Sequence, residues 1–63
     1  MSDSKWWGYI ARDGTAHVKR FYEERDVYDK SLEPGVIHAC GPFQATGRTA
    51  AMAHVLKTAR GGA

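Results

Sequence analysis

Residues 5–22 read KWWGYIARDGTAHVKRFY and decide the fold. Two stretches rich in aromatic and β-branched residues, 5–11 and 16–22, flank Asp13-Gly14, a dipeptide that tolerates the positive φ angles of a type I′ turn. This pattern predicts a β-hairpin with a two-residue loop. The expected register pairs Arg12 with Thr15, Tyr9 with Val18, Trp7 with Arg20, and Trp6 with Phe21.

That register divides the hairpin side chains between two faces, because side chains alternate along a strand. One face would carry Trp7, Tyr9, Ala11, Ala16, Val18 and Tyr22. The other would carry Trp6, Ile10, His17 and Phe21. A single helix cannot cover both faces, so the choice of core face stays open. We favour packing of Trp7, Tyr9 and Val18 beneath Met52, Val55 and Leu56.

The rest of the chain predicts a helical turn, a third strand and a helix. Residues 26–32 form the turn with Asp26 as its cap, and residues 36–40 form a strand that ends at Gly41-Pro42. The helix begins after Thr46 and ends at Gly61-Gly62, with the stripe Met52, Val55, Leu56 and Ala59 on one side and His54, Lys57 and Thr58 on the other. The third strand would leave an edge available to a second copy, so the oligomeric state is open.

Length and composition predict one small domain, residues 1–63, of the α+β class. The predicted architecture is a three-stranded, mainly antiparallel sheet in β-β-β-α order, covered by one C-terminal helix. An apolar fraction of 43% can support a core. The single Cys40 cannot form an intrachain disulfide, and the first residues lack the pattern of a signal peptide. We therefore expect a cytoplasmic protein without membrane segments.

Charge is unevenly distributed along the sequence. The formal net charge is +2, yet five of the seven carboxylates lie between residues 23 and 33. The chain after residue 33 contains Arg48, Lys57 and Arg60 and no acidic residue. A near-neutral total thus combines an acidic middle with basic ends, which matters for the choice of partner. A solvated acidic loop is the alternative to an acidic interface.

The residue types needed for a metal site or for catalysis are present in weak patterns only. His17, His38, Cys40 and His54 could in principle form a zinc site, but they lie on three elements and show no CxxC or HxxxH spacing. His38 and Cys40 would share a face of the third strand, but a small sheet with one helix offers little concavity for a substrate. We expect no metal, no cofactor and no enzymatic activity.

Two binding functions remain. We favour recognition of a protein or nucleoprotein complex with a basic surface, because aromatic residues anchor interfaces and acidic residues steer basic partners. The residues expected in this interface are Glu23, Glu24, Asp26, Asp29, Glu33, Trp6, Tyr22 and Tyr28. The alternative is a small nucleic-acid-binding domain whose aromatic hairpin stacks bases. Its expected contacts are Lys5, Lys19, Arg20 and Phe21.

Several short motifs resemble those of small phage or mobile-element proteins. They are Trp7-Gly8-Tyr9-Ile10, Asp13-Gly14, Val18-Lys19-Arg20 and Gly41-Pro42-Phe43-Gln44-Ala45, about half of the chain. In its small size and single domain, the sequence is similar to inhibitors of the anti-CRISPR type. The resemblance implies a protein that acts in the host cytoplasm, binds a surveillance complex, and blocks target DNA or a required motion. It assigns no role to individual residues.

Overall fold

The computed structural model describes residues 4–61, which form five elements. The elements are β1 (Ser4–Ala11), β2 (Ala16–Arg20), α1 (Glu24–Ser31), β3 (Val36–Ala45) and α2 (Arg48–Ala59). The strands form one antiparallel sheet in the order β2-β1-β3. The predicted α+β class, with a three-stranded antiparallel sheet and a C-terminal helix, is therefore confirmed. No helix within this part of the chain is long and apolar enough to cross a membrane.

Helix α1 occupies the acidic segment, where the sequence predicted only a turn over residues 26–32. It begins after Glu23, so the prediction of Asp26 as the cap is wrong, and Asp26 lies in the first turn. Acidic residues in the first turn and Lys30 in the last turn suit the helix dipole. The two helices give the order β-β-α-β-α, and the acidic segment is part of the folded domain.

The hairpin between β1 and β2 has a three-residue loop, so its predicted register is wrong by one residue. The N–H of Gly14 donates to the carbonyl of Ala11 at 2.9 Å, and the N–H of Ala11 donates to the carbonyl of Thr15 at 2.9 Å. Gly14 has a φ of 92°, as expected for a type I turn followed by a left-handed residue. Tyr9 consequently pairs with His17 instead of Val18.

A one-residue change of register moves every side chain of one strand to the other face of the sheet. The core accordingly forms between α2 and the face that carries Trp6, Gly8 and Ile10, and not beneath Trp7 and Tyr9 as we favoured. Its buried residues are Ile10, Val18, Ala45, Ala51 and Val55, with Trp6, Ala16, Cys40, Phe43 and Met52 packed against them.

Helix α2 contacts this core with a stripe that is rotated from the predicted one. Ala51 and Val55 are fully buried, whereas Leu56 is 39% exposed and Ala59 is exposed. The helix begins after Gly47, so the prediction of Thr46 as the cap is also wrong. Its C-terminal residue is followed by Arg60 and by Gly61 with a φ of 86°, close to the predicted end. Gly62 lies outside the described residues.

The opposite face of the sheet carries Trp7 and Tyr9 and is covered by α1. Trp7 is 4% exposed, and its ring centroid lies 5.9 Å from that of Tyr9. The ammonium group of Lys30 on α1 lies 4.9 Å from the centre of the Tyr9 ring. A helix on each face explains how so short a chain covers two aromatic faces.

Strand β3 continues past Gly41-Pro42 to Ala45, so the prediction that it ends there is wrong. Its pairing with β1 shifts between Trp6 and Gly8, which face Phe43 and Cys40. An extra residue on β3 therefore forms a bulge that accommodates the proline. Proline is compatible with an edge strand at a bulge, because there it interrupts no regular ladder.

Candidate protein-binding surface

The acidic residues fall into two groups. The Arg25 Nε lies 3.5 Å from a carboxylate oxygen of Asp29, and the Lys30 Nζ lies 3.2 Å from a carboxylate oxygen of Glu33. For the other three, Glu23, Glu24 and Asp26, no ion pair forms among residues 4–61. The negative charge available to a partner is therefore concentrated at the N-terminal end of α1.

The predicted interface aromatics lie in different environments. Tyr22 and Tyr28 are 82% and 64% exposed, so both are accessible to a partner. Trp6 instead packs against the core on the α2 face, with the guanidinium carbon of Arg20 5.4 Å from its ring centre. Its buried Nε1 has no hydrogen-bond partner in the described part of the chain. Trp6 nevertheless lines the depression that Tyr22, Asp26, Asp29 and Glu33 also line, so the structure brings it, like the two tyrosines, to the acidic segment.

Two exposed apolar residues were not predicted from the sequence. Leu32, which follows α1, is 65% exposed, and Ile37 near the start of β3 is 64% exposed. Leu32 follows Tyr28 by four residues, the spacing at which neighbours on a helix face meet. That spacing was the available signal for Leu32; the exposure of Ile37 depends on its edge position and could not be read locally.

A groove of about 310 Å³ lies between α1 and β3. Glu24, Tyr28 and Ser31 line it from the helix, and Ala39 and Pro42 line it from the strand. The groove thus places a carboxylate that lacks an ion pair beside an exposed aromatic ring and an apolar floor. Such a mixture suits a side chain with an aliphatic stem and a cationic end.

Two hydrogen bonds show which residues of β1 bond to strand β2 and which bond to strand β3. The N–H of Phe21 donates to the carbonyl of Lys5 at 2.9 Å, so odd-numbered residues of β1 bond towards β2. The N–H of Arg12, just after β1, donates to the carbonyl of Gly35 at 2.8 Å, so even-numbered residues bond towards β3. Within residues 4–61, both outer strands therefore have one side bonded to β1 and one side that pairs with no strand.

On β3 the free side belongs to Ile37 and Ala39. The partners of Gly8 and Ile10 are Cys40 and His38, which direct their backbone groups inward. Since the C=O and N–H of one peptide unit point to opposite sides, Ala39 directs both of its groups to the edge and Ile37 directs its C=O there. The pairing shifts between Ile10 and Ala11, which face His38 and Val36, so Ile37 is the extra residue of a second bulge. This edge borders the groove, because Ala39 also lines it.

The predicted nucleic-acid contacts gather around β2. Lys19 and Arg20 line a depression of about 560 Å³, together with Arg48 and with the acidic residues Asp26, Asp29 and Glu33. Phe21 is half-buried next to β2, and Lys5 is exposed on β1. The depression thus carries both signs of charge. Both hairpin tryptophans line it, although Trp7 is largely buried and Trp6 packs against the core.

The candidate metal ligands do not converge in the described residues. His17 lies 2.8 Å from the hydroxyl of Thr15, and His54 stacks on Phe43 with ring centroids 4.1 Å apart. His38 and Cys40 share a face, as expected. Within residues 4–61, no group of three or more His, Cys, Asp and Glu side chains is placed to hold a metal ion.

The hydroxyl of Thr58 lies between His38 and Cys40. Its oxygen is 3.1 Å from Nε2 of His38 and 3.4 Å from Sγ of Cys40, and it also reaches the carbonyl of Val55 at 2.9 Å. A hydroxyl has one proton, so Thr58 donates to one of these groups at a time, and its role towards His38 depends on the imidazole tautomer. The three side chains tie α2 to β3.

Comparison with known proteins gives no relative from which a function can be transferred. No protein-family model matches the chain, and no significant match is found among curated proteins or solved structures. Functional inference therefore depends on the residues themselves and on their arrangement at α1 and β3.

Proposed function

We propose that the protein is a non-enzymatic binding protein that recognises a basic protein surface through α1 and its flanking residues. One observation carries the proposal: three carboxylates without an ion pair at the start of α1 lie close in sequence to the exposed rings of Tyr22 and Tyr28. Tyrosine supplies apolar contact area together with a hydrogen-bonding group, which is why it is enriched at interfaces. The carboxylates supply steering and specificity towards cations.

The charge of this surface favours a protein over a nucleic acid. Carboxylates repel the phosphate groups of a nucleic acid. They attract the lysine and arginine side chains with which another protein binds those phosphates. An acidic surface of this kind can occupy the cation sites of a nucleoprotein complex and so compete with its nucleic acid. Together with the resemblance to small phage proteins, this supports an inhibitor of a host surveillance complex that acts in the host cytoplasm.

The test is a charge reversal with an isosteric control. The variant E23K/E24K/D26K reverses the three carboxylates that lack an ion pair, and E23Q/E24Q/D26N keeps their shape without charge. Purified CRISPR surveillance complexes serve as the probe, with complex formation followed by size-exclusion chromatography and target-DNA binding followed by filter binding. We expect the natural chain to bind and to reduce DNA binding, the amide variant to bind more weakly, and the lysine variant not to bind.

Circular dichroism and thermal melting establish that both variants are folded. Equal binding by the natural chain and the lysine variant would contradict the proposal, as would the absence of a complex with every surveillance complex tested. Acidic side chains in the first turn of a helix each contribute about 0.3–1 kcal/mol through the helix dipole, so the amide variant is the reference for any loss of stability in the lysine variant.

A second candidate function is nucleic-acid binding at β2. The observation that favours it is the convergence of Lys19, Arg20 and Arg48 on one depression. Single-stranded DNA and RNA oligonucleotides should then bind with an affinity that falls steeply as salt rises, and K19E/R20E should abolish binding. No binding by the natural chain at low salt would exclude this function.

A further inference from the structure

We infer that the free edge of β3 binds an extended basic segment of the partner protein, which adds to the sheet as a fourth strand. The inference rests on the proposed function for the basic character of the partner. It goes further in naming the conformation of the bound segment and the strand that receives it.

The backbone of β3 supplies the first argument. In the part of β3 between its two bulges, Ala39 directs its N–H and C=O to the open side of the sheet, and Ile37 directs its C=O there. Unpaired groups along an edge form a template for another strand. Natural edge strands are often protected by bulges, by proline or by a charged residue. Bulges and Pro42 interrupt β3 on either side of residues 38–40, and the edge beside them presents Ile37, an apolar side chain that is 64% exposed, in place of a charge.

The groove beside the edge supplies the second argument. Alternate side chains of an added strand point to the same face of the sheet, so every second residue of the segment would face α1. There it would meet the ring of Tyr28 and the carboxylate of Glu24, which line the groove with Ala39. Lysine or arginine at alternate positions fits this lining, with the aliphatic stem on the ring and the cation at the carboxylate.

The opposite edge of the sheet is a poor site for such a segment. Strand β2 has five residues, and its free side belongs to Ala16, Val18 and Arg20 by the same alternation. The depression beside this edge is lined by four cationic and three anionic side chains, so it offers a basic segment no net attraction. They are Lys19, Arg20, Lys30, Arg48, Asp26, Asp29 and Glu33. A second copy of this chain at β3 is disfavoured for a related reason, because two-fold pairing would bring two copies of α1 and their carboxylates together.

The probe is a synthetic peptide of about ten residues in which lysine and valine alternate, the length of a typical longer strand. Binding is measured by fluorescence anisotropy, and amide hydrogen exchange locates the contact. We expect the peptide to slow exchange at Ala39, whose N–H points to the edge. A peptide of the same sequence with N-methyl groups on alternate residues, in the register that bonds to the edge, should bind at least ~10-fold more weakly.

Two proline substitutions form a matched pair. Ala39→Pro removes an outward N–H from β3, and Ala16→Pro removes an outward N–H from β2; neither breaks a bond to β1. We expect A39P to weaken peptide binding by at least ~10-fold and A16P to leave it unchanged. If A39P does not fold, Ile37→Lys replaces it, because a cation at the edge repels the peptide, with Ile37→Thr as its uncharged control.

The outcomes separate this inference from the proposed function. Loss of partner binding in E23K/E24K/D26K with full binding of partner and peptide by A39P and I37K would overturn the edge site alone. Unchanged partner binding in all of these variants would overturn both proposals. If exchange at Ala39 is already slow without peptide, and slows further as the protein concentration rises, a second copy occupies the edge and the inference is overturned.

Discussion

Gly8 of β1 lies against Val55 of α2 so closely that a Cβ atom on Gly8 would be 2.6 Å from Cγ2 of Val55. The same Cβ would lie 2.7 Å from the carbonyl oxygen of His17 and 2.8 Å from Cγ1 of Val18. The absence of a side chain at Gly8 thus allows the central strand to approach the helix. Glycine is needed at this position because of close packing, and not because the backbone adopts unusual angles.

We expect Gly8→Ala to destabilise the protein by about 1–3 kcal/mol, because an added methyl group overfills this contact. For a domain of this size, 1 kcal/mol lowers Tm by roughly 4–8 °C. Gly35→Ala is the matched control, because nothing lies within 4 Å of a Cβ placed there. Thermal melting by circular dichroism measures both, and an equal Tm for the two variants would contradict the packing described here.

Val55 and Leu56 belong to the same predicted stripe of α2, but the structure separates them. Val55 is 0% exposed and Leu56 is 39% exposed. We expect Val55→Ala to reduce the free energy of unfolding by about 1.5–3 kcal/mol, and Leu56→Ala to reduce it by less although it removes more atoms. Urea unfolding measures both values, and a larger loss for Leu56→Ala would show that the stripe faces the direction predicted from sequence.

The strands, the helix α2 and the fold class could be predicted because apolar periodicity and turn residues are local signals. The hairpin register could not, since Asp13-Gly14 occurs in both two-residue and three-residue loops. The bonds from Thr15 to Asp13 accompany the longer loop, and their formation depends on the whole turn. The extra loop residue moves Val18 to the face of the sheet that carries Trp6. Trp6, and not Trp7, therefore packs against the core beneath α2.

The candidate site was predictable only in part. The acidic residues and Tyr28 are visible in the sequence, but pairing of Asp29 with Arg25 depends on α1 forming over residues that the sequence indicated as a single turn. Ile37 reads as a buried strand residue by composition. Its exposure follows from the position of β3 at the sheet edge, which is set by contacts distant in sequence.

The turn predicts a dependence of stability on pH. Hydrogen bonds from the hydroxyl and the N–H of Thr15 lower the pKa of Asp13 below its ordinary value of 3.8. A carboxyl group whose pKa is lower in the folded state stabilises that state above the unfolded pKa, and the contribution is lost as pH falls through the folded pKa. Stability from this group is therefore complete above pH 3.8 and declines below it.

Asp13→Asn tests this expectation, because asparagine keeps the acceptor oxygen but does not titrate. We expect the difference in Tm between the natural chain and D13N to shrink as pH is lowered below 3.8. Thr15→Val, which removes the hydroxyl donor, should diminish the same pH dependence. A difference in Tm that stays constant through this range would show that Asp13 makes no pH-dependent contribution.

Trp6 and Tyr28 separate the core from the proposed binding surface. Trp6 packs against the core, whereas Tyr28 is 64% exposed and lines the groove. We expect Trp6→Ala to cost about 3–5 kcal/mol of stability, enough to unfold a marginal domain, and Tyr28→Ala to change stability by about 0.5 kcal/mol or less. Tyr28→Ala should instead weaken binding of the alternating lysine and valine peptide, as an exposed aromatic anchor would. Urea unfolding and fluorescence anisotropy on the same preparations measure the two effects. If Tyr28→Ala binds the peptide as well as the natural chain, the ring takes no part in the groove, and the recognition of lysine stems there is wrong.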